Sequence, residues 1–213
     1  MKLIQTAIPK TGCVSFMHTL KHVYGGETNA YDTIIRGRPE SDNLIYADYD
    51  ARKASWDAGM KNLPPVVNFL TDHVPVQLYD GWLPDVPRVT WLRDPVKRVV
   101  SHYIHNVGDK HSRYRLQRFI HNPRFRNMMT FYTGGGNLDR FAFVGILGRY
   151  NRDLARCAEL LGWPPDYPVV HLNTCKYPAL KAELLADALL LAEIDELNQL
   201  DRGLYWRALW RQS

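Results

Sequence analysis

Short apolar runs alternate with amphipathic stretches along the chain, and this alternation predicts the order of strands and helices. Leu3 to Ile8 is an apolar run that is followed, after a short loop, by Cys13 to Val23 with helical character. The run Arg88 to Leu92 is followed by Asp94, a residue suited to cap a helix, and by Pro95, which is favoured in a first helical turn. Each segment therefore predicts a strand, a tight loop and a helix.

The rest of the chain continues the alternation. Further strands are predicted at Val74 to Leu78, Phe141 to Leu147 and Val169 to Leu172. Further helices are predicted at Tyr150 to Leu161, Ala179 to Leu191 and Leu197 to Trp210. Strands that alternate with helices are typical of a mainly parallel sheet with helices on both faces, where ligands bind beyond the carboxyl ends of the strands. We predict an α/β fold, with loops 9–12 and 93–95 at the ligand-binding edge.

Length and composition favour one domain over residues 1–213. The 213 residues are 46% apolar and 23% charged, as in an ordinary globular protein, and they contain no internal repeat or long linker. No stretch approaches the roughly 20 consecutive apolar residues of a membrane helix, and the first apolar run is too short for a signal-peptide core. We therefore expect neither a membrane span nor a secretory leader.

Three cysteines bear on the compartment and on metal binding. Cys13, Cys157 and Cys175 are odd in number and lack CxxC spacing, which argues against a disulfide framework and against a zinc site. The sequence predicts no bound metal, and a reducing cytoplasm is the expected location.

The charge balance favours anionic partners without identifying them. The net charge is +5 and the pI is about 9.1, so nucleic acid, acidic glycan and a polyphosphorylated nucleotide all stay open on this ground. Much of the excess lies in the basic stretch 110–126. Its cations are Lys110, Arg113, Arg115, Arg118, Arg124 and Arg126. A solvated helix face and a surface for an acidic substrate both fit this stretch.

The loop from Pro9 to Ser15 is the first candidate anion site. Backbone amides at a helix N-terminus bind phosphate or sulfate oxygens, and Lys10 adds a positive charge, although an ordinary strand-to-helix turn is the alternative. A Walker A loop would need glycines where Ile4 and Pro9 stand. Asp94 is placed like a Walker B carboxylate, although Arg93 beside it opposes magnesium binding.

A second candidate anion site follows the strand Arg88 to Leu92. Arg93 leaves the strand end, and Ser101 comes about two turns into the next helix. A phosphate along that face would meet a guanidinium and a hydroxyl together. An arginine paired with a carboxylate, beside a surface serine, is the simpler interpretation of either residue alone.

In this order and spacing, the segments PKTGCVSF (9–16) and RDPVKRVVSHY (93–103) resemble the sulfotransferase family. Its donor is 3'-phosphoadenosine 5'-phosphosulfate (PAPS) and its nucleotide product is 3'-phosphoadenosine 5'-phosphate (PAP). The most similar version is a short bacterial-type form of the glycan branch, which includes heparan sulfate 2-O-sulfotransferase. Further matches are FVGIL (143–147), LLGW (160–163), HLNTC (171–175) and residues 201–205. The resemblance implies a P-loop-NTPase-like three-layer fold, with a central, mostly parallel sheet flanked by helices.

The resemblance also implies which residues bind the donor. The 5'-phosphosulfate would be held by Pro9, Lys10, Thr11, Gly12, Cys13 and Ser15. The 3'-phosphate, which distinguishes PAPS from ATP, would be held by Arg93 and Ser101. Asn173 and Lys176 fall where the family places a late loop near the donor.

The catalytic residues implied by the resemblance are His73 and Lys10. An acceptor hydroxyl is a poor nucleophile until a base takes its proton, and His73 stands where the glycan branch has its base. Asp72 replaces the family's usual glycine, and a histidine that caps a strand with Asp72 is the alternative. Lys10 would stabilise the departing phosphate, so we expect in-line, metal-independent transfer with PAP as product.

The acceptor is the most open part of this interpretation. A carbohydrate or small glycoside is the expected partner, with no nucleic acid, and the oligomeric state stays open. Gly148 stands where the family commonly has an acidic residue. Two other functions remain: a divergent P-loop kinase that uses Lys10 and Asp94, and a non-catalytic module that binds acidic glycan through the basic stretch 110–126.

Overall fold

A sheet of four parallel strands forms the centre of the protein. The computed structural model describes residues 1–25, 49–61, 63, 67–172 and 175–211. The strands are β1 (Leu3–Thr6), β2 (Phe69–Asp72), β3 (Arg88–Leu92) and β4 (Phe143–Ile146). They are hydrogen-bonded in the order β2-β1-β3-β4, and every neighbouring pair is parallel. The carboxyl ends of all four strands therefore lie at one edge of the sheet.

Nine α-helices are present in the part of the chain that the structure describes. They are α1 (Cys13–Tyr24), α2 (Tyr49–Met60), α3 (Pro95–Val107), α4 (Arg113–His121), α5 (Met128–Tyr132), α6 (Tyr150–Leu160), α7 (Pro178–Ala186), α8 (Ala188–Leu197) and α9 (Gln199–Trp210). No helix among these residues is both long enough and apolar enough to cross a membrane.

The helices cover both faces of the sheet. Leu3 packs in one apolar cluster with Phe16 of α1 and Leu154 of α6. The next residue, Ile4, packs in another cluster with Trp56 of α2. Because successive side chains of a strand point to opposite faces, these clusters lie on opposite sides of the sheet. The predicted α/β fold, with a parallel sheet between two layers of helices, is confirmed.

The contact between β3 and β4 depends on a glycine. A Cβ added to Gly145 would lie 2.4 Å from the ring of Trp91, the residue that pairs with it across the two strands. The buried indole occupies the space that a side chain at position 145 would need. This packing seats the carboxyl end of β3, from which Arg93 projects.

Two of the predicted strands are wrong. The strand predicted at Val74 to Leu78 lies earlier, at Phe69–Asp72, and Val76–Tyr79 forms a 3-10 turn after Pro75. The polar residues Thr71 and Asp72 at the carboxyl end of β2 obscured the strand in the sequence. They are buried because Thr71 Oγ1 donates a hydrogen bond to Gln5 Oε1 of β1 at 2.8 Å. The shift places His73 after its strand, at the carboxyl edge of the sheet.

The segment predicted as a strand at Val169 to Leu172 has no sheet partner among the described residues. It is attached to α1 instead, where Leu172 N donates to Ser15 Oγ at 2.9 Å and Thr19 Oγ1 donates to Pro168 O at 3.1 Å. Side chains of the helix thus satisfy backbone groups that a sheet ladder would otherwise satisfy. This segment is extended coil.

Helix boundaries follow local capping. Asp94 precedes α3 and accepts a hydrogen bond from Lys97 N at 2.8 Å, with Pro95 in the first turn, as predicted. Asp187 accepts from Leu190 N at 3.0 Å and starts α8. The single helix predicted at Ala179 to Leu191 is therefore two helices, because Asp187 has extended backbone angles.

A buried ion pair joins α3 to the end of the chain. Arg98 of α3 lies 3.7 Å from Asp201 of α9, and both side chains are fully buried. Asp201 also accepts hydrogen bonds from the backbone amides of Met129, at 3.1 Å, and Thr130, at 2.7 Å. Burial raises the pKa of Asp201, while Arg98 and these amides act in the opposite direction. The pair fixes α3, the helix that carries Ser101, against α5 and α9.

Candidate functional site

A cleft lies at the carboxyl edge of the sheet, where the loops after β1, β2 and β3 meet. Its first cavity has a volume of about 260 Å³ and is lined by Lys10, Ser15, His73, Arg93 and Ser101, among others. These residues come from three different strand ends and two helices, so their convergence is a property of the fold. Apart from Thr11, the predicted 5'-phosphate, 3'-phosphate and base residues thus line one cavity.

The loop after β1 has a backbone suited to an anion. Lys10 and Gly12 both have positive φ, 69° and 93°, and Gly12 directly precedes α1. A Cβ added at Gly12 would also lie 2.7 Å from Leu147 Cδ1, so this position requires glycine for both conformation and space. Cys13 and Val14, at the N-terminus of α1, line the cavity together with Pro9. The helix N-terminus therefore faces the cleft.

Two residues of the predicted loop have different surroundings. Thr11 is fully buried, and its hydroxyl donates to Ile8 O at 2.9 Å, so it braces the loop and is not among the residues that line the cavity. Ser15 does line the cavity, and its Oγ accepts the hydrogen bond from Leu172 N. Ser15 therefore also positions the late segment of the chain beside the cleft.

Arg93 connects the two predicted anion sites. Its Nη1 donates to the backbone oxygen of Lys10 at 3.1 Å, which ties the loop after β3 to the loop after β1. Burial lowers the pKa of Arg93, although a guanidinium keeps its charge at any pH that the protein meets. Ser101 lies on the cleft side of α3 and lines the same cavity.

A second cavity adjoins the first and shares Lys10, Arg93, Ser101 and His105 with it. Its volume is about 370 Å³. The remaining lining residues are Ile104, Gly108, Cys175, Lys176, Tyr177 and Lys181. No Asp or Glu of the described residues lines either cavity. The two cavities form a continuous cationic cleft.

The charge of Lys10 is partly opposed by its surroundings. Burial lowers the pKa of the Lys10 ammonium first, and the nearby charge of Arg93 lowers it further. An anion in the cleft would relieve both effects, because it supplies the opposite charge that the described walls lack. The electrostatics therefore favour an anionic ligand.

His73 is held by the loop that carries Lys10. Its backbone N donates to Asp72 Oδ1 at 2.7 Å, and its ring Nδ1 lies 2.6 Å from the carbonyl oxygen of Ala7. Because a carbonyl oxygen can only accept, Nδ1 carries the hydrogen and Nε2 carries the lone pair of the neutral ring. The ring also makes an edge contact with Tyr132, with centroids 6.5 Å apart. This tautomer is the one a general base in the cleft requires.

Three other positions were singled out in the sequence. Lys176 lines the second cavity, whereas Asn173 lies outside the described residues. A Cβ added at Gly148 would meet no described atom within 4 Å, so lack of space does not explain the glycine.

Sequence reasoning missed two histidines of the cleft, His102 and His105, and Lys181 beside them. His102 is buried, and its pKa is well below the usual value, mainly through burial and then through the charge of Arg98. The one available signal was spacing, because His105 follows Ser101 by four residues and so shares its helix face.

Part of the basic stretch 110–126 is engaged in contacts within the fold. Arg113 pairs with Asp187 at 2.9 Å, and His121 lies 2.8 Å from Glu193. Arg126 donates to the carbonyl oxygens of Ile120, at 3.0 Å, and His121, at 2.7 Å. These contacts favour the interpretation as a helix face that packs against α8.

The cleft gives less support to the alternative of a magnesium-dependent kinase. The carboxylate of Asp94 is used to cap α3, where it accepts from Lys97 N. Among the described residues, no three His, Cys, Asp or Glu side chains are grouped as metal ligands. The cleft thus provides cations and amides for an anion, and the carboxylate of Asp94 binds a backbone amide of α3.

No protein-family model matches the chain, and no curated protein matches it. Among solved structures, a sulfotransferase from Alicyclobacillus acidocaldarius is similar, with 18% identity, a TM-score of 0.47, and coverage of 92% of this chain and 94% of that one. Retinol dehydratase in complex with retinol and PAP is also similar, with 15% identity and a TM-score of 0.44. That match covers 86% of this chain and 64% of the dehydratase. Such distant likeness assigns no function, so the residues of the cleft must do so.

Proposed function

We propose that this chain is a sulfotransferase that takes a sulfuryl group from PAPS and transfers it to an acceptor hydroxyl. The observation that carries the proposal is the convergence of Lys10, Arg93, Ser101 and His73 on one cationic cleft. PAPS has a 5'-phosphosulfate and a 3'-phosphate, so it needs two anion sites within the length of one nucleotide. The N-terminus of α1 supports the first site, and the Arg93 and Ser101 pair supports the second.

The residues that line the cleft favour the binding of PAPS over the binding of ATP. A triphosphate needs a long flexible loop and usually a magnesium ligand, whereas this loop is short and contains Pro9. The 3'-phosphate is absent from ATP, and a guanidinium beside a hydroxyl is a strong site for it. Lys10 and Arg93 supply fixed charge at both ends, so metal-free binding is part of the proposal.

The chemistry assigned to the chain has two parts. His73 accepts the acceptor hydroxyl proton at Nε2 as the new oxygen–sulfur bond forms, and the Ala7 carbonyl keeps the ring in the tautomer that can do so. The bond between sulfur and the bridging oxygen of the 5'-phosphate breaks in the same step. Lys10 and the amides at the start of α1 stabilise the charge that collects on the departing PAP phosphate.

The acceptor is proposed to be a carbohydrate or small glycoside. The support is the motif resemblance to the glycan branch, together with a histidine base placed after β2. A panel of sugars, glycosides, phenols and steroid alcohols offered with labelled PAPS would test this assignment. Transfer to phenols alone would contradict the carbohydrate acceptor and leave the sulfuryl transfer intact.

Donor binding is tested most directly by thermal unfolding in the presence of a metal chelator. We expect PAP to raise the melting temperature with no added magnesium, because a ligand that binds only the folded state stabilises it. Adenosine 5'-phosphate, which lacks the 3'-phosphate, should raise it less. An absence of any shift at millimolar PAP would contradict the proposal. A larger shift with ATP and magnesium, measured without the chelator, would also contradict it and favour the kinase.

A further inference from the structure

We infer that His105 is an additional ligand of the donor's 3'-phosphate and that it takes up a proton when the nucleotide binds. The inference rests on the proposed function and extends it to a residue outside the family motifs. It gives the cleft a donor affinity that depends on pH.

The position of His105 supports a direct role. It follows Ser101 by four residues on α3, so the two side chains share one face of the helix. His105 and Ser101 both line the first and the second cavity, as do Lys10 and Arg93. A phosphate held by Arg93 and Ser101 at this boundary would therefore lie against the imidazole of His105.

The charged side chains that line the cavities around His105 are all cationic. Partial burial lowers the pKa of its ring first, followed by the charges of Lys10, from the loop after β1, and Lys176, from the late segment. The other titratable or charged residues that line the two cavities are Arg93, Lys181, His73, His102, His171, Cys13, Cys175, Tyr150 and Tyr177. In the protein without ligand, these charges favour the neutral ring.

A bound phosphate reverses that preference. A dianion beside the ring favours the protonated imidazole, so the pKa of His105 rises on binding and the complex holds more of the proton than the free protein does. Between the free and the bound pKa, binding takes up a proton, and affinity falls as the pH rises through that window. Below about pH 6 the phosphate itself becomes protonated, which limits the gain on the acid side.

Calorimetric titration with PAP tests the inference. Measurements in two buffers of different ionisation enthalpy give the number of protons taken up on binding. They are made at about pH 6.5, within the range where a histidine changes charge, and at about pH 8.5, above that range. For His105→Gln, we expect proton uptake to disappear and PAP affinity at the lower pH to fall about tenfold, the effect of losing one hydrogen bond to a charged group. Adenosine 5'-phosphate should be nearly unaffected.

Two further variants separate charge from structure. His105→Lys keeps a cation at all these pH values, so we expect PAP affinity close to that of the wild type at the lower pH and a flatter pH dependence. His18→Gln replaces an exposed histidine of α1 that lines neither cavity and should match the wild type throughout. NMR titration of the His105 ring with and without PAP measures the pKa change in the wild-type protein itself.

The outcomes distinguish the inference from the proposed function. If the wild type binds PAP while His105→Gln shows the same affinity and proton uptake, the inference is wrong and the proposed function stands. An unchanged His105 titration on PAP binding would also overturn it. A wild type that binds no PAP overturns both.

Discussion

The two ends of the cleft are built in different ways. At the proposed 5'-phosphate end, the site is mainly backbone, formed by the positive φ of Lys10 and Gly12 and the N-terminus of α1. At the proposed 3'-phosphate end it is mainly side chain, formed by Arg93 and Ser101, with His105 as a further candidate. A backbone site depends on one loop conformation, whereas a side-chain site divides its contribution among several groups. We therefore expect a single substitution to reduce activity or binding more at the first end than at the second.

His73 follows β2, on the far side of the β1 loop from Arg93, and its loss should lower turnover without weakening donor binding at either proposed anion site. We expect His73→Ala to lower kcat by about a hundredfold to ten-thousandfold, the usual contribution of a general base. PAP should still raise the melting temperature of this variant, because the ring belongs to neither anion site. His18→Ala is the matched control. Unchanged kcat across the acceptor panel would mean that another group takes the proton.

Gly12 tests the backbone end. Gly12→Ala forces an unfavourable positive φ and places a methyl 2.7 Å from Leu147 Cδ1, so the loop must shift. We expect turnover of PAPS to fall about a hundredfold or more, as for the loss of an oxyanion donor. Gly81→Ala is the control, since an added Cβ there meets nothing within 4 Å. Equal turnover of the two variants would remove the backbone site from the mechanism.

Arg93 tests the side-chain end, and we expect a smaller effect. Arg93→Ala should weaken PAP binding by about tenfold to a hundredfold, the range for losing hydrogen bonds to a charged group. Binding of adenosine 5'-phosphate should change far less. Arg124→Ala, at an exposed position outside the cleft, serves as the control in the same calorimetric assay. An equal loss for both nucleotides would show that Arg93 supports the loop through Lys10 O and does not read the 3'-phosphate.

The sequence predicted those parts of the fold that local chemistry determines. The break after β1, and the cap and proline that start α3, are visible in a few consecutive residues, and both loops of the cleft depend on them. The likeness of two short motifs to the sulfotransferase family then indicated which of their side chains to expect in one site. His73, Lys10, Arg93 and Ser101 do line one cleft, and their roles there stay predictions.

The errors arose where distant contacts decide the structure. β2 is short and ends in buried polar residues, and only Gln5 of β1 explains why Thr71 is buried there. The residues near Leu172 have no sheet partner in the described part of the chain, and Ser15 and Thr19 of α1 bond to their backbone instead. The surroundings of His105 likewise come from loops far apart in the sequence, so its four-residue spacing from Ser101 was not enough to identify it.

The hydrogen bond between Ala7 and His73 links the two proposed catalytic roles, proton removal by His73 and stabilisation of the leaving group by Lys10. Ala7 belongs to the same short loop as Lys10, so any movement of that loop also turns the imidazole. Substitutions around His73 that admit a new acceptor would consequently also disturb the proposed contact between Lys10 and the departing phosphate. Directed changes of acceptor preference should begin at positions that do not touch this loop.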